Sequence, residues 1–298
     1  MLRYWIEAFR LRTLALSFSI TITGSAMAYC DDCFDFKIFG AAMLTTLFLQ
    51  ILSNLSNDYG DNISGVDNAD RLGPQRGVQS GAISRQAMKR AIRLFIGLSL
   101  VSGICLLVLA FERLKLWGFI LMLLVGICAI CAAILYTIGR RPYGYRGFGD
   151  LSVFVFFGIV GVCGTYTVYA GQPSPDSLLP AAAIGLLSVG VLNLNNMRDY
   201  DNDARFGKRT LPVRMGLTWA KAYHTSVLLL SIIAMVTYVM LFGKSEQLIV
   251  LFVAPVLLTD IKTVWRETEV QYLDGELKKV SLAAFFQSIL FSLGSVIG

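Results

Sequence analysis

Two clusters of acids and amides hold the groups in this chain best suited to chemistry. The first runs from Asn54 through Asn57, Asp58 and Asp61 to Asn62, and the second from Asn193 through Asn196, Asp199 and Asp201 to Asp203. Each opens with Asn-Leu-x-Asn and continues into Asp-Tyr. If each stretch closes a helix, Asn57, Asp58 and Asp61 share one face, and so do Asp199 and Asp203, while Asp201 points elsewhere. Carboxylates packed this closely repel one another and resist leaving water, so they call for a compensating cation. An oxygen-only donor set suits Mg2+, with Mn2+ as a substitute, and Mg2+ commonly combines one or two carboxylates with phosphate oxygens of a substrate. Bases follow each cluster: Arg71 and Arg76 after the first, Arg205, Lys208 and Arg209 after the second. Such groups match phosphate oxygens by charge and, for Arg, by fork geometry. Acid for a metal and base for phosphate is the set expected where a diphosphate leaves. The plainer reading is solvated ion pairs worth about 0–1 kcal/mol, but it does not account for acids gathered at two matched places.

The elements that must position these clusters are set by composition. The chain has 298 residues, of which 55% are hydrophobic and only 15% charged, and its mean hydropathy is +0.63. A soluble domain carries about 25% charged residues, so this one lacks the charge to cover a water-facing surface. Nine apolar runs approach the roughly 20 residues that cross a bilayer, near 14–30, 38–56, 91–111, 117–137, 151–171, 178–196, 222–242, 247–263 and 281–297. Pro255, Asp260 and Lys262 make the eighth the weakest. The first is not expected to be a cleaved signal, because no small-residue cleavage site follows it. With nine spans, all but four of the 26 Lys and Arg fall on one face, the exceptions being Lys37, Arg113, Lys115 and Lys244. That bias places the N-terminus and both acid clusters on the cytoplasmic side of the cell's inner membrane. The net charge of +6 then reflects orientation and contact with the lipid bilayer, and nucleic acid is not an expected partner. The expectation is an all-α, polytopic membrane helical bundle forming a single domain over 1–298. Its about nine transmembrane helices would fall in two related halves around a central cytoplasm-facing site, since the two clusters share their opening order. Oligomeric state is not legible.

Other motifs are weaker. The loop from Tyr136 to Asp150 contains Arg141, Tyr143, Tyr145 and Arg146 among glycines. It reads either as an aromatic-acid pocket or as an interfacial turn with anchoring tyrosines. Cys30 and Cys33 allow a disulfide, a metal pair or neither, and no second pair stands nearby to complete a zinc site. The other cysteines read as small apolar residues. The single histidine, His224, reads as structural. A transporter with acidic gates would spread its acids over both faces, which this chain does not do.

These motifs resemble those of the UbiA-type intramembrane prenyltransferases, in their menaquinone branch, which acts on 1,4-dihydroxy-2-naphthoate. The family's Asn-Asp-x-x-Asp stands here as Asn57-Asp58-Tyr59-Gly60-Asp61, and its Asp-x-x-x-Asp as Asp199 to Asp203 followed by Gly207 and Lys208. The branch is carried by the stretches 61–67, 70–81 and 141–150, so the resemblance covers essentially the whole chain. Two positions depart from it: Gly65 stands where many members have an Asp, leaving Asp67 as a candidate substitute, and 138–141 reads Ile-Gly-Arg-Arg. The resemblance implies transfer of a polyprenyl group from polyprenyl diphosphate to 1,4-dihydroxy-2-naphthoate, with loss of diphosphate and CO2. The runner-up acceptor is 4-hydroxybenzoate. It further implies that Asn57, Asp58, Asp61, Asp199 and Asp203 hold Mg2+, with Asp61, Asp199 and Asp203 catalytic and Asn196 a further candidate. Arg71, Arg76, Lys208 and Arg209 would bind diphosphate, and Arg141, Tyr143, Tyr145 and Arg146 the aromatic acceptor.

Overall fold

The computed structural model describes the whole chain except residues 69–71 and 73–75 and the side chains of Arg12 and Gln271. A helix satisfies its own backbone polar groups, which hydrocarbon requires, and the apolar runs take that form. Among the described residues nine helical stretches are long and apolar enough to cross a membrane, and there are no strands. A short helix α1 (Leu2–Phe9) precedes them. The first four spans lie in α2 (Leu11–Cys30), α3 (Phe36–Ile63), α4 (Arg85–Leu109) and α5 (Phe111–Leu135). The fifth joins α6 (Gly149–Val153), a π-helical stretch (Phe154–Cys163) and α7 (Gly164–Ala170), and the sixth is α8 (Leu178–Arg198) with a short lead-in. After the short α9 (Tyr200–Arg205) and α10 (Leu211–Met215), the last three are α11 (Leu217–Leu241), a 3-10 segment (Ser245–Val253) running into α12 (Ala254–Arg266), and α13 (Leu273–Ile297).

The ends of the spans differ from the sequence reading for local reasons. Asp35 caps α3, its carboxylate accepting from Lys37 N at 2.7 Å, and the helix continues for 28 residues. At 1.5 Å per residue that is about 42 Å, against a hydrocarbon core of about 30 Å. The turn carrying Asn57, Asp58 and Asp61 is therefore ordered helix that projects past the apolar layer. Ser84 Oγ accepts from Ala87 N at 3.1 Å, which starts α4 at Arg85, earlier than hydropathy alone suggests. Lys115, at φ 54, breaks the backbone inside α5, so the apolar part of that span begins after it. In the eighth span Pro255 sits where the 3-10 segment passes into α12, a junction that its fixed φ suits. The amphipathic α1 was not anticipated.

Packing puts α8 at the centre: 72% of its most apolar window is buried, against 6% for α5, which faces outward. α8 packs on α11, α13 and the π-helical stretch, while α13 also packs along α2 and so brings the last span against the first. Two glycine contacts set the spacing. A Cβ on Gly158 would lie 2.6 Å from Ala181 O and 3.0 Å from Gly185 Cα, so the fifth and sixth spans meet backbone to backbone. A Cβ on Gly60 would lie 2.6 Å from both the Cβ and the carbonyl oxygen of Thr137. Thr137 Oγ1 donates to Ser56 O at 2.9 Å, which fixes the end of α3 against the loop after α5. His224 and Asp260, both fully buried, join α11 to α12 through a 2.7 Å contact, in keeping with a structural histidine.

Gly60→Ala is expected to destabilise the protein by about 1–3 kcal/mol through overpacking. Gly40→Ala, whose Cβ meets nothing within 4 Å, should be neutral or slightly stabilising. Thermal unfolding of both variants in lipid nanodiscs checks the contrast.

Candidate active site

The two acid clusters end α3 and α8 on the same face of the bundle and meet across its centre. Asp58 and Asp61 are 1% and 4% exposed, Asp199 and Asp203 4% and 0%. Carboxylates so buried need partners, and on the first side Arg76 supplies them: its Nη1 reaches Asp61 Oδ2 at 2.7 Å and Asp67 Oδ2 at 2.8 Å, and its Nε lies 3.4 Å from Asp58. The turn at Gly65, φ +77, brings Asp67 back to this cluster in place of an acid at 65. Arg10, at the left-handed junction between α1 and α2, pairs with Asp58 from the other side. Tyr145 Oη donates to Asp61 Oδ1 at 2.5 Å, and Thr137 Oγ1 to Asn57 Oδ1 at 3.3 Å.

On the second side Arg198 holds both oxygens of Asp199, at 3.0 and 2.8 Å. Asp203 is treated differently. Lys208 Nζ stands 3.4 Å from it, and neither carboxylate oxygen has a hydrogen-bond partner among the described residues. Lys208 also lies over the Tyr145 ring at 5.6 Å. Asn202 closes the gap between the two sides, donating to Val66 O at 2.9 Å and accepting from Asn68 at 2.8 Å.

The charges are coupled across this gap. Burial lowers the affinity of Lys208 for its proton, but the fields of Asp203, Asp61 and Asp199 outweigh it and hold the ammonium charged. Arg76 behaves alike, with Asp61, Asp58 and Asp67 outweighing its burial. Burial pushes the Asp203 carboxyl up to about 6, Lys208 working against the rise and Asp199 and Asp61 adding to it. Burial also raises the Tyr145 phenol, and neighbouring Asp61 raises it further, so Tyr145 is a hydrogen-bond donor.

A cavity of about 390 Å3 opens below the acids. Its polar end includes Asn57, Asp61, Arg76, Asn196 and Lys208, and its long walls are apolar, with Leu16, Leu107, Met122, Phe157 and Val168 among them. One wall is a polar ladder between α2 and α3. Ser17 Oγ donates to Gln50 Oε1 at 2.6 Å, Gln50 Nε2 to Asn54 Oδ1 at 3.2 Å, and Asn54 Nδ2 to Phe9 O at 2.9 Å and Thr13 Oγ1 at 3.0 Å.

The donor set fits a divalent cation. Asp203 offers two buried oxygens that have no hydrogen bonds among the described residues, and Arg76 and Lys208 stand among the acids where a metal's charge would do the same neutralising work. Among the described residues no three His, Cys, Asp or Glu side chains form a ready cage; these two bases hold the carboxylates apart. Thus Asn57, Asp58, Asp61, Asp67, Arg76, Asn196, Asp199, Asp203 and Lys208 come together, Tyr145 with them through Asp61, and Tyr143 lines the cavity. Arg141, Arg146 and Arg209 are exposed and outside the cavity lining. Arg71 lies outside the described residues. Sequence reasoning did not single out Arg10, Gln50 or Arg198. A lone Gln within an apolar run was the available signal for Gln50, whereas Arg10 counted only as orientation charge.

The model of the UbiA prenyltransferase family matches residues 17–289. The chain is 41% identical over 97% of its length to an Escherichia coli (strain K12) protein named 1,4-dihydroxy-2-naphthoate octaprenyltransferase, covering 94% of it. Among solved structures, a UbiA homologue from Aeropyrum pernix K1 in its apo form is similar with a TM-score of 0.68 at 17% identity, over 95% of this chain and 97% of that one. A UbiA homologue from Archaeoglobus fulgidus bound to GPP and Mg2+ gives 0.62 at 14% identity, over 97% and 99%.

A metal ligand must shed its proton, so protonation of Asp203 competes with binding. Mn2+ affinity of the purified protein is expected to be steady above pH 6 and to fall toward tenfold per unit below it. Isothermal titration across pH 5–8 measures the slope, and Asp203→Asn should both weaken binding and flatten it.

Proposed function

The chain belongs to the UbiA prenyltransferase family, and from that premise we propose how its site acts. The protein is a polyprenyltransferase of menaquinone biosynthesis: it transfers the prenyl group of a polyprenyl diphosphate to 1,4-dihydroxy-2-naphthoate and releases diphosphate and CO2. The observation that carries the mechanism is the meeting of both acid clusters with Arg76 and Lys208 at the mouth of an apolar cavity. The naphthoate acceptor rests on the likeness to the Escherichia coli relative.

The carboxylates of Asp58, Asp61, Asp199 and Asp203 and the amide oxygen of Asn57 would hold Mg2+ as an all-oxygen donor set. When bound, that ion supplies the positive charge that stabilises a departing diphosphate. The chain's own part is positioning and charge. Arg76 and Lys208 are cations whose acid partners would pass to the ion, which frees them to face phosphate oxygens. As the allylic C–O bond breaks, its electron pair leaves with the diphosphate toward these bases. The naphthoate ring carbon bearing the carboxylate then bonds to the allylic carbon. Loss of CO2 returns the electron pair of the C–C bond to the ring and restores aromaticity, giving demethylmenaquinol. Tyr143, which lines the cavity and donates to Ala132 O at 2.8 Å, offers an aromatic edge to the acceptor. The apolar walls receive the prenyl chain and exclude water from the allylic cation. The concentration of Lys and Arg on the acid-bearing face supports placing the protein in the cytoplasmic (inner) membrane with that face toward the cytoplasm.

Membranes containing the protein, given 1,4-dihydroxy-2-naphthoate and a labelled polyprenyl diphosphate, should yield a prenylated naphthalenediol without the carboxylate, seen by mass analysis. Chelation of divalent cations should abolish the product, and Asp61→Ala should lower turnover at least a hundredfold while leaving the melting temperature within a few degrees. A product that keeps its carboxylate, or 4-hydroxybenzoate as the better acceptor, would contradict the reading.

A further inference from the structure

Arg198, at the end of α8, is the largest side chain with under 2% exposure among the described residues. Successive residues on a helix point about 100° apart and do not normally touch. Here the helix breaks at Asp199, φ −92 and ψ 13, and the carboxylate turns back onto the guanidinium of its own neighbour. Nε meets Oδ1 at 3.0 Å and Nη2 meets Oδ2 at 2.8 Å, a two-pronged grip. The same guanidinium donates to Asn195 Oδ1 at 2.9 Å and, through Nη1, to Asp274 Oδ1 at 2.6 Å in the first turn of α13.

Desolvating a cation is costly, and an apolar side chain of similar volume would pack α8 on α13 at least as well. What an apolar residue cannot do is fix the plane and charge of a neighbouring carboxylate. Among the described residues Asp203, one turn on, meets no such hold on its oxygens. The second acid cluster therefore pairs one clamped carboxylate with one adaptable one. Resting on the metal-dependent reading above, we propose that Arg198 is a positioning residue for the cation, presetting Asp199 as a ligand, with Asp274 of α13 as the counter-anchor that keeps the guanidinium in place. Partners that orient metal ligands in this way commonly change affinity tenfold to a hundredfold.

The test uses full-length protein in lipid nanodiscs with a prenyl thiodiphosphate present, and free Mn2+ read by electron paramagnetic resonance. Arg198→Gln and Arg198→Lys should each weaken Mn2+ binding by about tenfold or more, the Lys variant failing to rescue because it restores the charge without the fork. In an Asp199→Asn background, adding Arg198→Gln should change affinity less than twofold, because Arg198 acts through Asp199. Asp274→Asn, the milder change, should weaken binding severalfold, and it decides the matter if the Arg198 variants do not fold. Wild-type affinity in Arg198→Lys, an equal loss in the Asp199→Asn background, or wild-type affinity in Asp274→Asn would overturn the inference alone. Wild-type protein that takes up no Mn2+ would overturn the reading of the site as well.

Discussion

Buried negative charge is the constraint around which this structure is organised. Asp58, Asp61, Asp67, Asp199 and Asp203 are all less than a tenth exposed, at one end of a bundle whose membrane-spanning helices are largely apolar. Left alone they would force one another to protonate or push the helices apart. Arg10, Arg76, Lys208 and Arg198 each take a share of that charge. The arrangement is costly as a source of stability, because desolvating ions offsets much of their attraction. Four bases offset most of the charge of five acids, and the cost makes physical sense under the proposed function, in which a metal and a phosphate group enter together and reorganise the site.

The fold serves that arrangement by geometry. α3 is longer than the apolar layer and so carries its acids as ordered helix, while α8 is the most buried span and brings its acids to the centre. The break at Asp199 then turns the chain into α9, which places Asp203 and Lys208 opposite Asp61. Close glycine contacts at Gly60 and Gly158 remove side-chain thickness where the acid-bearing helices must approach their neighbours. The apolar cavity lies directly beneath, so a ligand with a charged head and a hydrocarbon tail meets matching surroundings along its whole length.

Much of this was legible in the sequence because it rests on local patterns. Hydropathy gave the nine spans, and the spacing of Asn57, Asp58 and Asp61 gave their common face. Helix ends were less legible: Ser84 and Asp35 set boundaries through single capping bonds that a hydropathy window averages away. Long-range pairing was least legible. Arg10 reaches Asp58 across 48 positions and Arg198 reaches Asp274 across 76, and nothing local to either arginine announces its partner. The reading of the loop after α5 stayed divided, and the structure places its tyrosines inward and Arg141 and Arg146 outward. Rings that can donate one hydrogen bond are cheaper to bury than guanidinium groups without carboxylates beside them.

The central claim is that one diphosphate–metal assembly is shared by the ends of α3 and α8. A structure of the full chain in lipid with Mn2+ and a prenyl thiodiphosphate, with the ion located by its anomalous scattering, tests this most directly. The account predicts manganese lying between the Asp61 and Asp203 sides, with Arg76 and Lys208 turned from their carboxylates onto phosphate oxygens. Manganese bound to one cluster alone, with both bases still paired to their acids and the diphosphate elsewhere, would contradict it.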